Sequence, residues 1–167
     1  LSGLHRLHDA RTHRVTAFDG REMAPAGARP DMFLGADDPD CVVFGANMTT
    51  LNFALSRALA RTWRAGDEVI VTRLDHDANV TPWLLAARDA GATVKQVGIC
   101  PDDCSLDMAA LRSLLTPRTR LVAVTCASNA VGTIPPFEEI VRLAHRYGAL
   151  VVLDAVHFAP HRLIDVT

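Results

Sequence analysis

From Cys41 onward, short unbroken apolar runs alternate with segments whose apolar residues recur at helical spacing. "CVVF" (41–44), "EVIVT" (68–72), "TVKQVGI" (93–99), "RLVAVTCAS" (120–128) and "ALVVLD" (149–154) read as strands. Runs that are apolar throughout, rather than alternating, predict strands buried on both faces, as in a parallel sheet. Between them, 49–64 carries Leu51, Ala54, Leu55, Ala58 and Leu59 on one helical stripe. Segment 79–91 has Pro82 in its first turn and Gly91 at its stop. Segment 106–116 has Ser105 or Asp107 as cap and Pro117 after it, and 135–148 opens on prolines and closes at Gly148. Each carries the start and stop signals of a helix. This alternation predicts the α/β class: three layers, α/β/α, around a mostly parallel sheet. Residues 1–40 are poorly patterned, and "DGREMAPAGARPD" reads as loop.

In an open parallel sheet, ligands bind beyond the carboxyl ends of the strands. Four of the loops expected there carry chemistry: "GANMTT", "RLDHDAN", "SNAVGTIPP" and "DAVHFAPH". In "GANMTT" a helix N-terminus and the Thr49 hydroxyl suit an anion, and equally Asn47 or Thr49 is a cap. In "DHDAN", Asp75, His76 and Asp77 form either a capped turn, a metal cluster or an imidazole set against a planar ligand. Asn129 follows a strand directly and on its own would organise a turn. Asp154 ends a buried strand, where a carboxylate needs a cation or a donor, and no Lys or Arg is near it before Arg162.

Composition narrows the class of partner. The chain has 167 residues, 49% hydrophobic, 22% charged, with a net charge of −2. That balance gives no reason to expect nucleic acid or an anionic membrane surface as partner. No apolar run approaches the roughly 20 residues of a membrane span. The first fifteen residues hold no apolar core of the secretory type, so the cytoplasm is the expected compartment. Cys100 and Cys104 in "CPDDC" make no complete zinc set, and Cys41 and Cys126 read as small apolar residues. Lys95 is the one lysine among the 17 basic residues.

Four ordered stretches, "VFGANMTTLNFALSRAL", "DHDANVTPW", "TPRTRLVAVTCASNAVGTIPP" and "VVLDAVHFAPHRLIDV", resemble the class V aminotransferases, cysteine desulfurase-like enzymes of the fold type I pyridoxal-phosphate group. The resemblance spans residues 40–167. It implies that 41–167 is part of the cofactor-binding large domain, with pyridoxal 5′-phosphate as cofactor and an amino acid as substrate. Met48 and Thr49 match the phosphate cradle, and His76 the histidine stacked on the pyridine ring. Asn129 matches a side chain near the ring's 3-oxygen, and Asp154 the partner of the ring nitrogen. His157 stands where many relatives have Gln, facing the 3-oxygen. His76 and Asp154 are thereby the catalytic candidates, and a homodimer is implied for the full-length protein. The family's Schiff-base lysine falls after the "DAVH" strand, beyond Thr167, and Lys95 matches nothing catalytic. The persulfide cysteine of true desulfurases also falls later. The chain as given is therefore expected to bind the cofactor weakly or not at all and to turn over no amino acid. Two other functions compete. One is a metal-dependent hydrolase using Asp75, His76, Asp77, Asp154, His157 and His161, although Pro160 interrupts a helical His157/His161 pair. The other is a non-catalytic remnant serving as a scaffold or partner domain.

Overall fold

The computed structural model describes residues 42–164 and the backbone of 16–19. The chain divides into two compact units, Leu1–Leu51 with Ala159–Thr167, and Asn52–Phe158.

In the first unit, β1 (Thr16–Asp19) pairs in parallel with β2 (Val42–Gly45). The sequence pattern left 16–19 without an element. It also read β2 as a buried strand of the main sheet, whereas Val43 and Phe44 are exposed and β2 pairs with β1 in a separate two-stranded sheet. A four-residue apolar run does not specify its neighbour, so this difference was not written in the run itself. The turn after β2 opens α1 (Met48–Ala60). Gly45 is required there, because a Cβ would lie 2.5 Å from Leu51 Cγ. The rest of residues 1–40 lies outside the described residues.

The second unit is built on β3 (Glu68–Thr72), β4 (Thr93–Val97), β5 (Thr119–Thr125) and β6 (Leu150–Asp154). Their order is β4-β3-β5-β6, all parallel. Helices α2 (Thr81–Ala90), α3 (Met108–Leu114) and α4 (Phe137–Arg146) connect them. Successive strand residues point to opposite faces. Val69, Val71, Leu121 and Ala123 therefore pack with Trp83, Ala86 and Ala87 of α2. Ile70, Val122 and Val124 pack on the other face with Leu111 of α3 and Ile140 and Ala144 of α4. Each fully buried aliphatic side chain contributes about 1.5–3 kcal/mol. This is the three-layer α/β/α arrangement with a mostly parallel sheet that the alternation predicted.

The helix ends follow the sequence signals. Asp107 caps α3 by accepting from Ala110 N at 2.9 Å. Gly91 ends α2 in the left-handed conformation, φ 71°. In α4, Glu138 and Glu139 sit in the first turn and His145 and Arg146 in the last, matching the helix dipole.

The order β4-β3-β5-β6 has one consequence for function. The chain leaves β3 toward β4 and leaves β5 toward β6, so the connections diverge between β3 and β5. Their carboxyl ends are the switch point, where open α/β sheets place ligands. Among the described residues, no helix is long and apolar enough to cross a membrane.

Candidate active site at the carboxyl ends of β3, β5 and β6

Beyond β3 the chain turns sharply, held by its own side chains. The Thr72 hydroxyl accepts from Leu74 N at 3.1 Å and hydrogen-bonds Asp75 Oδ2. Asn79, fully buried, donates its side-chain N–H to Asp75 Oδ1 at 2.7 Å. The Asn79 oxygen accepts from Asn52 Nδ2 at 3.0 Å and Trp83 Nε1 at 3.2 Å. Two donors on that oxygen fix which way the amide faces. The short 3-10 turn Asp77–Asn79 is capped by His76, whose Nδ1 accepts from Ala78 N at 3.1 Å. That contact sets the angle of the imidazole and leaves Nε2 as the proton-bearing nitrogen of the neutral ring. Asp77 accepts from the Thr81 hydroxyl at 2.7 Å.

The loop after β5 is tied to this turn. Ser128 donates its hydroxyl to Leu74 O at 3.3 Å and accepts from Ala130 N at 3.3 Å. Ser128 N donates to Thr133 O at 2.9 Å and Gly132 N to Ser128 O at 3.0 Å, which closes the "SNAVGT" turn. The two loops and Ile99 enclose a cleft of about 290 Å³, lined by Arg73, Asp75, His76, Asp77, Ser128 and Asn129 among others.

Asp154 closes β6 and is 8% exposed. Its Oδ1 accepts from Val156 N at 3.0 Å. It takes part in no ion pair among the described residues. Its charge acts on two neighbours. Burial first, and then Asp154 nearby, pushes the Asp75 carboxyl up to about 7, against the hydrogen bonds from Thr72, Asn79 and the Thr125 backbone. Burial, Asp154 and Asp75 together push the Cys126 thiol up to about 12. Cys126 therefore stays protonated at neutral pH and is no nucleophile.

Of the residues singled out from sequence, His76 and Asn129 line one cleft, and Asp154 lies within electrostatic reach of Asp75 on its wall. His157 is exposed in the turn that follows β6, and no helix pairs it with His161. That turn is pinned by Phe158, whose ring meets Phe137 edge-on at 5.4 Å. In the first unit, Met48 and Thr49 begin α1, and Asn47 is the cap, accepting from Thr50 N at 2.9 Å. Lys95 is at the opposite end of the sheet, its ammonium 2.8 Å from Glu68 and 3.0 Å from Leu114 O. Sequence reasoning named Asp75 only as a candidate metal ligand and passed over Ser128. The argument applied to Asp154, a carboxylate just beyond a buried strand, was available for Asp75, whereas nothing in the sequence marked Ser128. Among the described residues, no group of three or more His, Cys, Asp or Glu side chains is placed to hold a metal ion.

The family model for class V aminotransferases matches residues 7–167. The chain belongs to that family. It is 36% identical over 155 residues to a cysteine desulfurase of Dickeya dadantii, covering 92% of this chain and 37% of that protein. It is 38% identical over 179 residues to a nonribosomal peptide synthetase-like enzyme of Aspergillus fumigatus, covering 98% of this chain and 12% of that protein. In structure it is similar to the Escherichia coli cysteine desulfurase CsdA, with a TM-score of 0.76 and 30% identity over 83% of this chain and 35% of the other. The apo cysteine desulfurase of Thermococcus onnurineus gives 0.75 and 28% over 82% and 34%. The chain thus spans well under half the length of the curated relatives it matches. As a class V aminotransferase it has the fold type I architecture, and the family's cofactor is pyridoxal 5′-phosphate. The residues present fit that group. Asp154 is a buried carboxylate with no cation beside it among the described residues, which is what a protonated ring nitrogen requires.

Proposed function

We propose that the whole protein is a pyridoxal-phosphate-dependent, cysteine desulfurase-like enzyme acting on an amino acid, and that this chain contributes the wall facing the cofactor ring. The observation that carries this is Asp154: buried, at the carboxyl end of β6, and without a cationic partner among the described residues. A carboxylate so placed holds a proton on a pyridine nitrogen, because the pair is worth far more in a desolvated site than in water. When bound, the cofactor supplies an electron sink for negative charge developing at the amino acid's α-carbon.

The other residues follow from that placement. His76, its ring angle set by Ala78 N, stacks on the ring. Asn129, on the same cleft, and His157, after β6, serve the ring's 3-oxygen. Met48 and Thr49 serve the phosphate at the N-terminal end of α1, where backbone N–H groups and the helix dipole favour an anion. Lys95 is committed to Glu68 and takes no covalent part, so residues 1–167 hold the cofactor weakly and by noncovalent contacts. The complete enzyme works as a homodimer in the cytoplasm.

The test is titration of the protein with pyridoxal 5′-phosphate, followed by absorbance and equilibrium dialysis, alongside Asp154→Ala and His76→Ala. Saturable binding weakened in both variants supports the assignment. Equal binding by all three, or borohydride trapping of the cofactor on Lys95, overturns it.

A further inference from the structure

The connection from β4 to α3 folds back on itself as a hairpin. Ile99 bridges Leu106 in antiparallel register, Asp107 N donates to Gly98 O at 3.1 Å, and Cys100 N donates to Ser105 O at 2.8 Å. Its tip, "PDD" (101–103), is exposed. Ser105 N donates to Asp103 Oδ1 at 2.8 Å, which ties the tip to the returning limb. Pro101, with its fixed φ, enters the turn. Cys104 leaves it in the left-handed conformation, φ 56°, and is the one residue other than glycine with a positive φ among the described residues. Glycine and asparagine adopt that backbone at least cost, so a cysteine there is unusual.

The left-handed residue turns the chain back onto Cys100. The Cys104 N–H donates to the Cys100 carbonyl at 2.9 Å and closes a five-residue turn. With standard backbone lengths, a contact that short leaves the two α-carbons no more than about 6.8 Å apart. A disulfide spans α-carbons about 4.4–6.8 Å apart. The hairpin therefore holds the two cysteines within bridging reach before any bond forms. Both thiols are free and partly exposed, so a small reagent reaches them, whereas Cys126 is buried. Among the described residues they belong to no set of three or more metal-ligating side chains. Their common chemistry is thiol–disulfide exchange.

We propose that Cys100 and Cys104 form a reversible dithiol/disulfide site that clips the β4–α3 hairpin. The co-reactant is a small-molecule disulfide of the glutathione type. One cysteine thiolate attacks it, releases one small thiol and is left as a mixed disulfide. The other cysteine thiolate then displaces the second small thiol and closes the Cys100–Cys104 bond. The protein gives up two protons and two electrons, and the reagent takes them up as two thiols. The site does not depend on the cofactor assignment, although it adjoins the cleft. Ile99, next to Cys100, lines that cleft together with His76 and Asn129. A partly exposed disulfide is of the labile kind, so the clip opens and closes with the surrounding thiol pool.

The experiment equilibrates the whole chain with reduced and oxidised glutathione at a series of ratios. Exchange is quenched with acid, free thiols are alkylated, and the tryptic peptide 96–112 is read by mass spectrometry. That peptide holds Cys100 and Cys104 and no other cysteine. In the native protein it is expected to lose two hydrogens and to resist alkylation as the oxidised fraction rises. At one glutathione ratio, the native disulfide-to-dithiol ratio is expected to exceed that in concentrated urea by about tenfold, because the hairpin has already closed the loop. Cys100→Ser and Cys104→Ser are each expected to leave the remaining cysteine as a mixed disulfide with glutathione. A native ratio no higher than in urea overturns the proposal. So does a native peptide carrying two glutathiones, or one bonded instead to Cys41 or Cys126.

Discussion

Asn79 donates its side-chain N–H to Asp75 Oδ1 across 2.7 Å, and it does so from a fully buried position two strands away from Asp154. The bond joins the packing of α1 and α2 to the chemistry at the strand ends, because the same amide accepts from Asn52 and Trp83. Asn79→Ala removes an acceptor from two buried donors and a donor from a carboxyl. A stability loss of about 2–4 kcal/mol is expected from groups left unsatisfied and from the small cavity. Urea denaturation with an unchanged m value checks it. A loss under about 0.5 kcal/mol, the size usual for surface substitutions, would show that water replaces the amide.

The Asp75 carboxyl gives stability a pH dependence of definite sign. Its value rises from an ordinary 3.8 to about 7, by burial first and by Asp154 in smaller part. The folded protein therefore keeps a proton that the unfolded chain has already lost. The contribution is complete below the unfolded value, declines as pH rises from about 4 to about 7, and is gone above that. Asp75→Asn removes the decline. Relative to wild type, the variant gains more at pH 8 than at pH 4, measured by denaturation at the two values. Parallel profiles would show that Asp75 titrates as an ordinary surface carboxyl.

At the amino end of the sheet the sign is reversed. Glu68 faces desolvation, which raises its value, but hydrogen bonds from Lys95 and Thr116 and the charges of Lys95 and Arg118 bring it below the ordinary range. Its contribution is present above the unfolded value, 4.5, and is lost as pH falls through the lower folded one. Lys95→Met keeps the aliphatic stem and removes the ammonium 2.8 Å from Glu68. A loss of about 1–2 kcal/mol is expected at pH 7 and little at pH 3. Cofactor binding is expected to be unaffected, since the site is at the other end of the strands. Loss of cofactor binding in this variant would mean that Lys95 does reach it.

His76 has two functions that substitution can separate. Its Nδ1 caps the 3-10 turn, and its ring is assigned to stack on the cofactor. His76→Asn keeps a capping acceptor and loses the ring. It should hold stability and weaken pyridoxal phosphate binding by about threefold to tenfold. His76→Phe keeps a ring and loses the cap. It should lose about 0.5–2 kcal/mol of stability and retain most of the affinity. Both variants moving stability and affinity together would contradict separate functions.

Much of this was legible in the sequence wherever a run of residues answers to one environment. "EVIVT" became β3 residue for residue, because it is apolar and β-branched and buried on both faces. Asp154 was legible for the same reason, as the acid that stops such a run. β1, "TAFD", was not, since four residues with two apolar ones carry no periodicity. Asp75 was visible as a candidate metal ligand, but its burial was hidden more deeply. An acid in a polar loop reads as solvated, and only the approach of Asn79, Thr72 and the end of β5 withdraws it from water. Pairwise contacts between distant strands decide such a residue, and composition along one loop does not record them. His157 shows the converse, for its motif position was clear and yet the turn leaves it exposed.

The central claim is that Asp154 meets the cofactor's ring nitrogen. Nitrogen-15 NMR of ring-labelled pyridoxal 5′-phosphate, bound at saturation above the pH at which the free ring loses its proton, tests it most directly. With Asp154 present the bound ring nitrogen should carry its proton, and with Asp154→Ala it should not. The same ring-nitrogen shift in both proteins would contradict the assignment.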